Sequence, residues 1–462
     1  MHTRLAIRAT IRLLTFGLLL GMVAPAHGQS PKRPRPILGD TLKQPADSAS
    51  RLLTGVKRMK IDEEAVAAAG IRKLSSKHLT LYTDLPSSAE VDELPKVFDL
   101  AFPQWCEYFG IDPVKEADWQ ITGCLMKDKD TFQRGGLIPS NLPKFAHGWA
   151  RNWELWLFEQ PSDYYRRHLL LHEGTHAFMN TMLGACGPPW YMEGMAELLS
   201  THSWADGKLK LNYMPVDRDE VPHWGRIRII KKEMAERRAR YLENVVEFTP
   251  YEFLENAPYA WCWAVATLMD HHPKYRERFR GLAKNVTKRD FNKLFYKLFA
   301  DDWRKMSEEW QIMVTGLEYG YDVTAAAVDF ADGKPLPADG AIVTLRADRG
   351  WQSTGLALEE GQRYAIRSKG RYQVADQPQV WWSEPGGVSI RYYKGRPLGK
   401  LLAAIRPDDS TGGSSPLLRP ATVGLGTTLQ PKQSGTLYLK INDSAAELDD
   451  NAGELKVQVK PL

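Results

Sequence analysis

One stretch, residues 162–204, limits the folds open to this chain more than any other. It contains His172-Glu173-Gly174-Thr175-His176 and then Trp190-Tyr191-Met192-Glu193-Gly194-Met195-Ala196-Glu197. Ser162 or Asp163 can cap a helix, the apolar residues between 169 and 182 recur with helical spacing, and Gly184 can end it. On that helix His172 and His176 lie one turn apart on the same face, so both imidazoles can reach one metal ion. Glu173 projects beside them, a position that suits a general base better than a third ligand. A tetrahedral catalytic zinc wants three protein ligands and one open position. Glu193 is the natural third, presented from the interior of a second helix that begins at Pro188 and Pro189. Glu197, four residues on, can accept the other ring N–H of a ligating histidine. The competing explanation makes the histidines surface residues of an amphipathic helix. The apolar flanks, Leu169-Leu170-Leu171 and Ala177-Phe178-Met179, argue against it, since a buried His-Glu-His cluster without a partner is costly.

These residues resemble the gluzincin metallopeptidases, the clan of thermolysin-like proteases and zinc aminopeptidases. The match lies at His172, Glu173, His176 and Glu193, with Glu197 where the clan keeps an acidic residue behind a ligand. The resemblance implies hydrolysis of peptide bonds by zinc-activated water with Glu173 as the base. It also implies that Tyr259, in Pro258-Tyr259-Ala260-Trp261 at the head of a later helix, is the phenol that stabilises the oxyanion. No Gly-Ala-Met-Glu-Asn signature of the aminopeptidases is present.

Residues 1–28 read as a secretory signal: Arg4, Arg8 and Arg12, an apolar run over 13–24, and Ala26-His27-Gly28 as the cleavage site. Export to the periplasm or medium is expected, and no later segment is long and apolar enough to span a bilayer. Cleavage would remove three arginines and no acid, taking the 61 basic residues to 58 against 56 acids and the net charge from +5 to +2. That balance argues against nucleic acid as the main partner. The cysteines Cys106, Cys124, Cys186 and Cys262 allow three full pairings that the sequence does not rank. None has Cys-x-x-Cys spacing, which excludes a thiolate zinc site, and Cys186 and Cys262 read as buried small side chains.

Residues 29–60, rich in Pro, Ser, Lys and Arg, describe a flexible linker. Strands are predicted over 78–85 and 119–126, a helix over 90–110, and a loop over 132–144. Residues 147–158 read as one strand arriving just before the zinc helix; in gluzincins such a sheet edge binds extended substrate, and Gly148 and Ala150 are small enough to admit a peptide backbone. The same residues also read as a core strand whose Trp153 and Trp156 only pack. Helices are predicted over 226–242, 259–271, 275–284, 291–300 and 303–317, together a lobe closing the cleft. The charge of the first is assigned to a solvated face, and His271-His272 to a helix end. His168 and His202 flank the zinc stretch.

Near Gly320 helical periodicity gives way to short alternating runs at 341–345, 363–368, 387–393, 401–405, 436–441 and 454–459, the pattern of a β-sandwich. The loop 442–453, Asn-Asp-Ser-Ala-Ala-Glu-Leu-Asp-Asp-Asn-Ala-Gly, carries enough oxygens for calcium and equally describes an acidic hairpin loop. From Gly370 onward the chain is similar to the calcium-dependent galactose-binding lectin of pseudomonads, at residues 398–405 and 435–443. That resemblance implies Ca2+ held by Asp443, the Glu447 carbonyl, Asp450 and Asn451, with a further carbonyl near Leu358. Asp450 replaces an amide, and no sugar-contacting side chains can be placed.

The fold expected is therefore α+β and multidomain: a gluzincin-like zinc metallopeptidase domain over 61–320, with a small mixed sheet and a helical lobe, then an all-β, lectin-like sandwich over 321–462. Peptide or protein is the expected substrate, with a glycan as a further ligand of the sandwich. In a rival reading the zinc domain is inactive and scaffolds a carbohydrate-binding or adhesion protein; the intact Glu173 counts against it.

Overall fold

A five-stranded sheet is built from β1 (Arg72–Ser75), β2 (Leu79–Thr83), β3 (Ile121–Met126), β4 (Gly148–Arg151) and β5 (Glu154–Phe158), in the order β1-β2-β3-β5-β4, with the mostly buried β2, β3 and β5 at its centre. Strands β2, β3 and β5 run parallel, and β1 and β4 are antiparallel edges. The computed structural model describes residues 58–408 and 413–462, all within one compact unit. The expected signal at 1–28 and most of the linker at 29–60 lie outside the described residues. The end of that linker is held in place: the Met59 N–H donates to Glu154 at 2.7 Å, and the Arg58 guanidinium lies 4.6 Å above the Trp153 ring.

The single strand predicted across 147–158 is a hairpin. Asn152 takes φ 50°, which asparagine tolerates better than most residues, and the chain folds back so that Trp149 pairs with Trp156. The turn makes β4, carrying Gly148 and Ala150, the outermost strand of the sheet.

Helix α1 (Leu94–Phe109) covers the sheet, ending at Gly110 with φ 68°. Against it packs α2 (Asp163–Phe178), capped by Ser162 Oγ, which accepts from Tyr165 N at 3.2 Å. The glycine inside the His-Glu-Gly-Thr-His run has a packing reason, for a Cβ on Gly174 would lie 2.6 Å from the Phe98 ring. The chain then loosens into a π-turn, Met179–Leu183, that Gly184 closes at φ 82°. Next comes α3 (Pro189–Ser200), entered through Pro188. The predicted helix over 226–242 breaks in two: α4 (Arg226–Ala235) stops before Arg237, whose φ is 60°, and Leu242–Val246 forms a separate piece. Helices α5 (Ala257–His271) and α6 (Trp303–Gly316) complete a lobe around one large apolar cluster.

The C-terminal region is β-rich. A five-stranded sheet centred on Leu401–Arg406 and Gly435–Ile441 faces a four-stranded sheet centred on Tyr364–Lys369 and Glu454–Pro461. Leu358, Ile366, Leu437, Leu439 and Val457 fill the space between them. The strand Gln352–Leu358 was hidden by its sequence, Gln-Ser-Thr-Gly-Leu-Ala-Leu, which does not alternate. A short helix, Val323–Ala326, persists past residue 321 and packs into the helical lobe's core rather than the sandwich. The sandwich is joined to α6 by a buried ion pair: Arg406 Nε donates to Glu308 at 3.0 and 3.1 Å, and Ser415 Oγ donates to the same carboxylate at 3.1 Å.

Among the described residues no helix is long and apolar enough to cross a membrane. All the cysteines are buried and unpaired. His272 lies at the end of α5, as the sequence predicts, and is buried there with Nε2 2.8 Å from Glu309 Oε1.

Candidate metal centre

Helices α2 and α3 bring three donor atoms together. His172 Nε2 lies 3.2 Å from His176 Nε2 and 3.2 Å from Glu193 Oε2, and His176 Nε2 lies 3.5 Å from Glu193 Oε2. Ligand bonds of about 2.0–2.2 Å in a tetrahedral site set donor atoms roughly 3.3–3.5 Å apart, so the three separations suit zinc. Glu193 Oε2 is buried, with the two imidazole nitrogens as its polar neighbours, and a buried carboxylate oxygen so placed is well satisfied by a cation shared with both rings. Burial favours the neutral form of the Glu193 carboxyl, but His176 and His172 outweigh it and hold the group down to about 2.

Behind the donors stands Glu197, 1 % exposed. Its Oε1 lies 3.4 Å from His172 Nδ1, so it faces the ring nitrogen turned away from the donor cluster. Arg226 grips both oxygens, Nε to Oε2 at 2.8 Å and Nη2 to Oε1 at 2.7 Å, while its Nη1 donates to the Trp224 carbonyl. Burial would raise the Glu197 carboxyl, yet Arg226 and then His168 keep it well below the carboxylate range. His168, His172 and Glu197 also have ligand atoms within 4.8 Å of one another. A cation there would sit against the Arg226 guanidinium, so this trio reads as a buttress. Burial keeps His168 neutral, with its Nδ1 3.1 Å from the Ser200 carbonyl.

The sequence places Arg226 on a solvated face; instead it is 6 % exposed and clamps Glu197. A signal was available: Arg226 is the first residue of its helix, where a cation opposes the macrodipole and so needs another reason to be there.

Glu173 points at the sheet edge. A Cβ built on Gly148 would lie 2.5 Å from Glu173 Oε1 and 2.8 Å from its Cγ, so β4 passes directly against the carboxylate. Burial pushes the Glu173 carboxyl above its ordinary range, with His172 and His176 opposing. Ala150, two residues along β4, shares Gly148's side of the strand. Tyr259, in the first turn of α5, has its ring 6.2 Å from that of His172 and edge-on to Phe253 at 5.2 Å. Burial, then Glu193 and Glu173, keep its phenol protonated, a donor at the side of the cluster. His202 is structural: its ring stacks on Tyr164 at 4.6 Å and its Nδ1 lies 2.8 Å from the Ser200 carbonyl.

The C-terminal loop brings Asp443, Glu447, Asp450 and Asn451 together. Asp443 Oδ1 accepts from Ser444 N at 2.7 Å, and its Oδ2 accepts from Asn451 Nδ2 at 2.9 Å. Asp450 Oδ1 and Asn451 Oδ1 are buried without a partner. Burial, opposed by the Asn451 and Ser444 bonds, leaves the Asp443 carboxyl pushed up to about 7, and burial with the charge of Glu447 raises Asp450 to about 6. The Leu358 carbonyl does not reach this loop: Leu358 pairs with Gly435, at the opposite end of that strand from Asp443. Gln373 and Asp376 are the neighbours of Asp450 instead, Gln373 Nε2 donating to its carbonyl at 2.6 Å.

No family model and no curated relative matches the chain. Among solved structures it is similar over 27 % of its length to the whole of the EclA N-terminal domain, a PllA-like lectin, at 22 % identity and a TM-score of 0.21. Over 83 % of its length it is similar to 68 % of an aminopeptidase N family protein from Idiomarina loihiensis, at 11 % identity and a TM-score of 0.26. Both likenesses are too distant to bear on chemistry.

Proposed function

We propose that the chain is an exported zinc metallopeptidase of gluzincin type. The observation that carries this reading is the convergence of His172 Nε2, His176 Nε2 and Glu193 Oε2 at 3.2–3.5 Å beside an uncommitted carboxylate, Glu173, that abuts an edge strand. His172, His176 and Glu193 would hold the ion, which supplies Lewis acidity to water and to the scissile carbonyl. Glu173 takes a proton on its carboxylate and passes it to the leaving amine, a task that its burial-raised proton affinity favours. Glu197, fixed by Arg226, holds the His172 ring in register. Tyr259 donates its phenolic O–H toward the developing oxyanion. Strand β4 offers its free edge to an extended peptide, with Gly148 and Ala150 leaving room for the backbone. In the same reading the sandwich binds calcium through Asp443, Asp450, Asn451 and the Glu447 carbonyl, and a glycan beyond it. The partnerless oxygens of Asp450 and Asn451 support the cation.

The test compares metal content and peptide-library cleavage for the protein and Glu173→Gln. One zinc per chain in both, with cleavage by the unmodified protein alone, is the expected result. Zinc without cleavage by either would leave the scaffold reading standing, and absence of zinc would overturn the proposal.

A further inference from the structure

The acidic loop has two faces of different chemistry. One presents Asp443, Asp450 and Asn451, the oxygen donors just described. The other presents Ser444, Ala445, Ala446 and Leu448, and each of these meets the zinc-bearing half. Ser444 Oγ donates to the Glu318 carboxylate, and the Ala445 carbonyl accepts from Asp322 N at 3.0 Å. Ala446 packs against Gly320, and Leu448 is buried in the same apolar cluster as Tyr321 and Val323. The contacts continue inward. Gly320 N donates to the Pro215 carbonyl at 2.7 Å, and the segment from 215 leads directly into Arg226, the residue that grips Glu197.

We propose that the cation held by this loop fastens the sandwich to the zinc-bearing half, so that calcium in the loop orders residues 318–323 at the seam. The inference rests on the calcium reading above and goes beyond it. Without a cation, Asp443, Asp450 and Glu447 repel one another, and the Arg391 guanidinium, 2.5 Å from Glu447 Oε1, pairs with only one of them. Asp443 is 2 % exposed, so water cannot relieve its charge. A divalent ion removes that repulsion and fixes side chains whose immediate chain neighbours make the seam contacts. Donor and seam residues alternate within one short loop, so the ion orders both faces together.

The experiment uses the full chain in calcium-free buffer. Calcium binding is measured by calorimetry, and hydrogen exchange is followed in peptides covering 443–451 and 318–323. Calcium should bind, slow exchange severalfold in both peptides, and raise the melting temperature by about 3 °C when present at a hundredfold its dissociation constant. Asp450→Ala removes a donor from a half-buried side chain, so it should fold, bind calcium more weakly and lose both effects. Ser444→Ala keeps every donor; it should bind calcium normally while protecting 318–323 less. Calcium bound with exchange at 318–323 unchanged would overturn the fastening and leave the calcium site intact. No heat of binding would overturn both.

Discussion

Gly148→Ala puts the relation between the sheet edge and Glu173 to the test. The backbone at 148 is an ordinary strand, so alanine strains nothing locally. The cost arises across the cleft, where the new Cβ would stand 2.5 Å from Glu173 Oε1, against an ordinary contact that begins near 3.4 Å, a shortfall of about 0.9 Å. Either β4 retreats or Glu173 turns aside by a comparable distance. A displacement of about 1 Å at a proton-transferring group costs roughly a hundredfold in rate, or about 2.7 kcal/mol of barrier. Overpacking by one methyl at a sheet edge, by contrast, costs stability only about 1–3 kcal/mol. The assay is steady-state hydrolysis of a peptide selected from the library, with zinc content and thermal unfolding measured alongside. Zinc should be retained, the fold should persist, and kcat should fall about a hundredfold. If a folded, zinc-loaded Gly148→Ala enzyme cleaves within twofold of the unmodified rate, Glu173 does not work from the position seen here.

Other outcomes follow from the same geometry. Arg226→Met removes two charge-assisted bonds from a buried carboxylate; zinc affinity should drop by about 10- to 100-fold, read by competition with a chelating dye, and unchanged affinity would make Arg226 a packing residue only. Tyr259→Phe should lower kcat by about 10²–10³ with little change in KM; an effect confined to KM would assign the phenol to substrate binding. His202 is held neutral by burial, with its pKa lowered from 6.5 to about 3. The unfolded chain therefore takes up a proton that the folded chain refuses: stability is full above pH 6.5 and falls as pH drops toward 3. Between pH 7 and pH 5 this loss is about 2 kcal/mol. Denaturant titrations at both pH values should show a smaller loss in His202→Phe; equal losses would mean the imidazole is not shielded.

The α2–α3 arrangement was readable because its signals are local. Histidines one turn apart must share a face, and Ser162, Gly184 and Pro188 mark where helices start and stop. The alternating runs past residue 340 likewise anticipated six strands to within a residue or two of where they lie. What escaped the sequence depends on partners distant in the chain. A left-handed Asn152 turned one predicted strand into two and made β4 an edge. The cationic helix after residue 225 looked solvated because its many arginines and lysines fit the polar face of an amphipathic helix, and only Glu197, 29 residues earlier, gives Arg226 its place. Leu358 was expected beside the acidic loop because alignment counts residues, whereas antiparallel pairing with Gly435 sends it to the far end of the sandwich.

The pairing of Glu308 with Arg406 bears on how such a chain could have been assembled. Either half of the gene, expressed alone, would encode a surface bearing a charge shaped for a counterpart that is missing. A fusion of two ready-made pieces would therefore have begun with a poorer seam, with Glu308 paired only to Arg304 of its own helix, 3.2 Å away. For anyone trimming the chain to crystallise or engineer it, cutting near residue 320 separates the two partners of a buried ion pair.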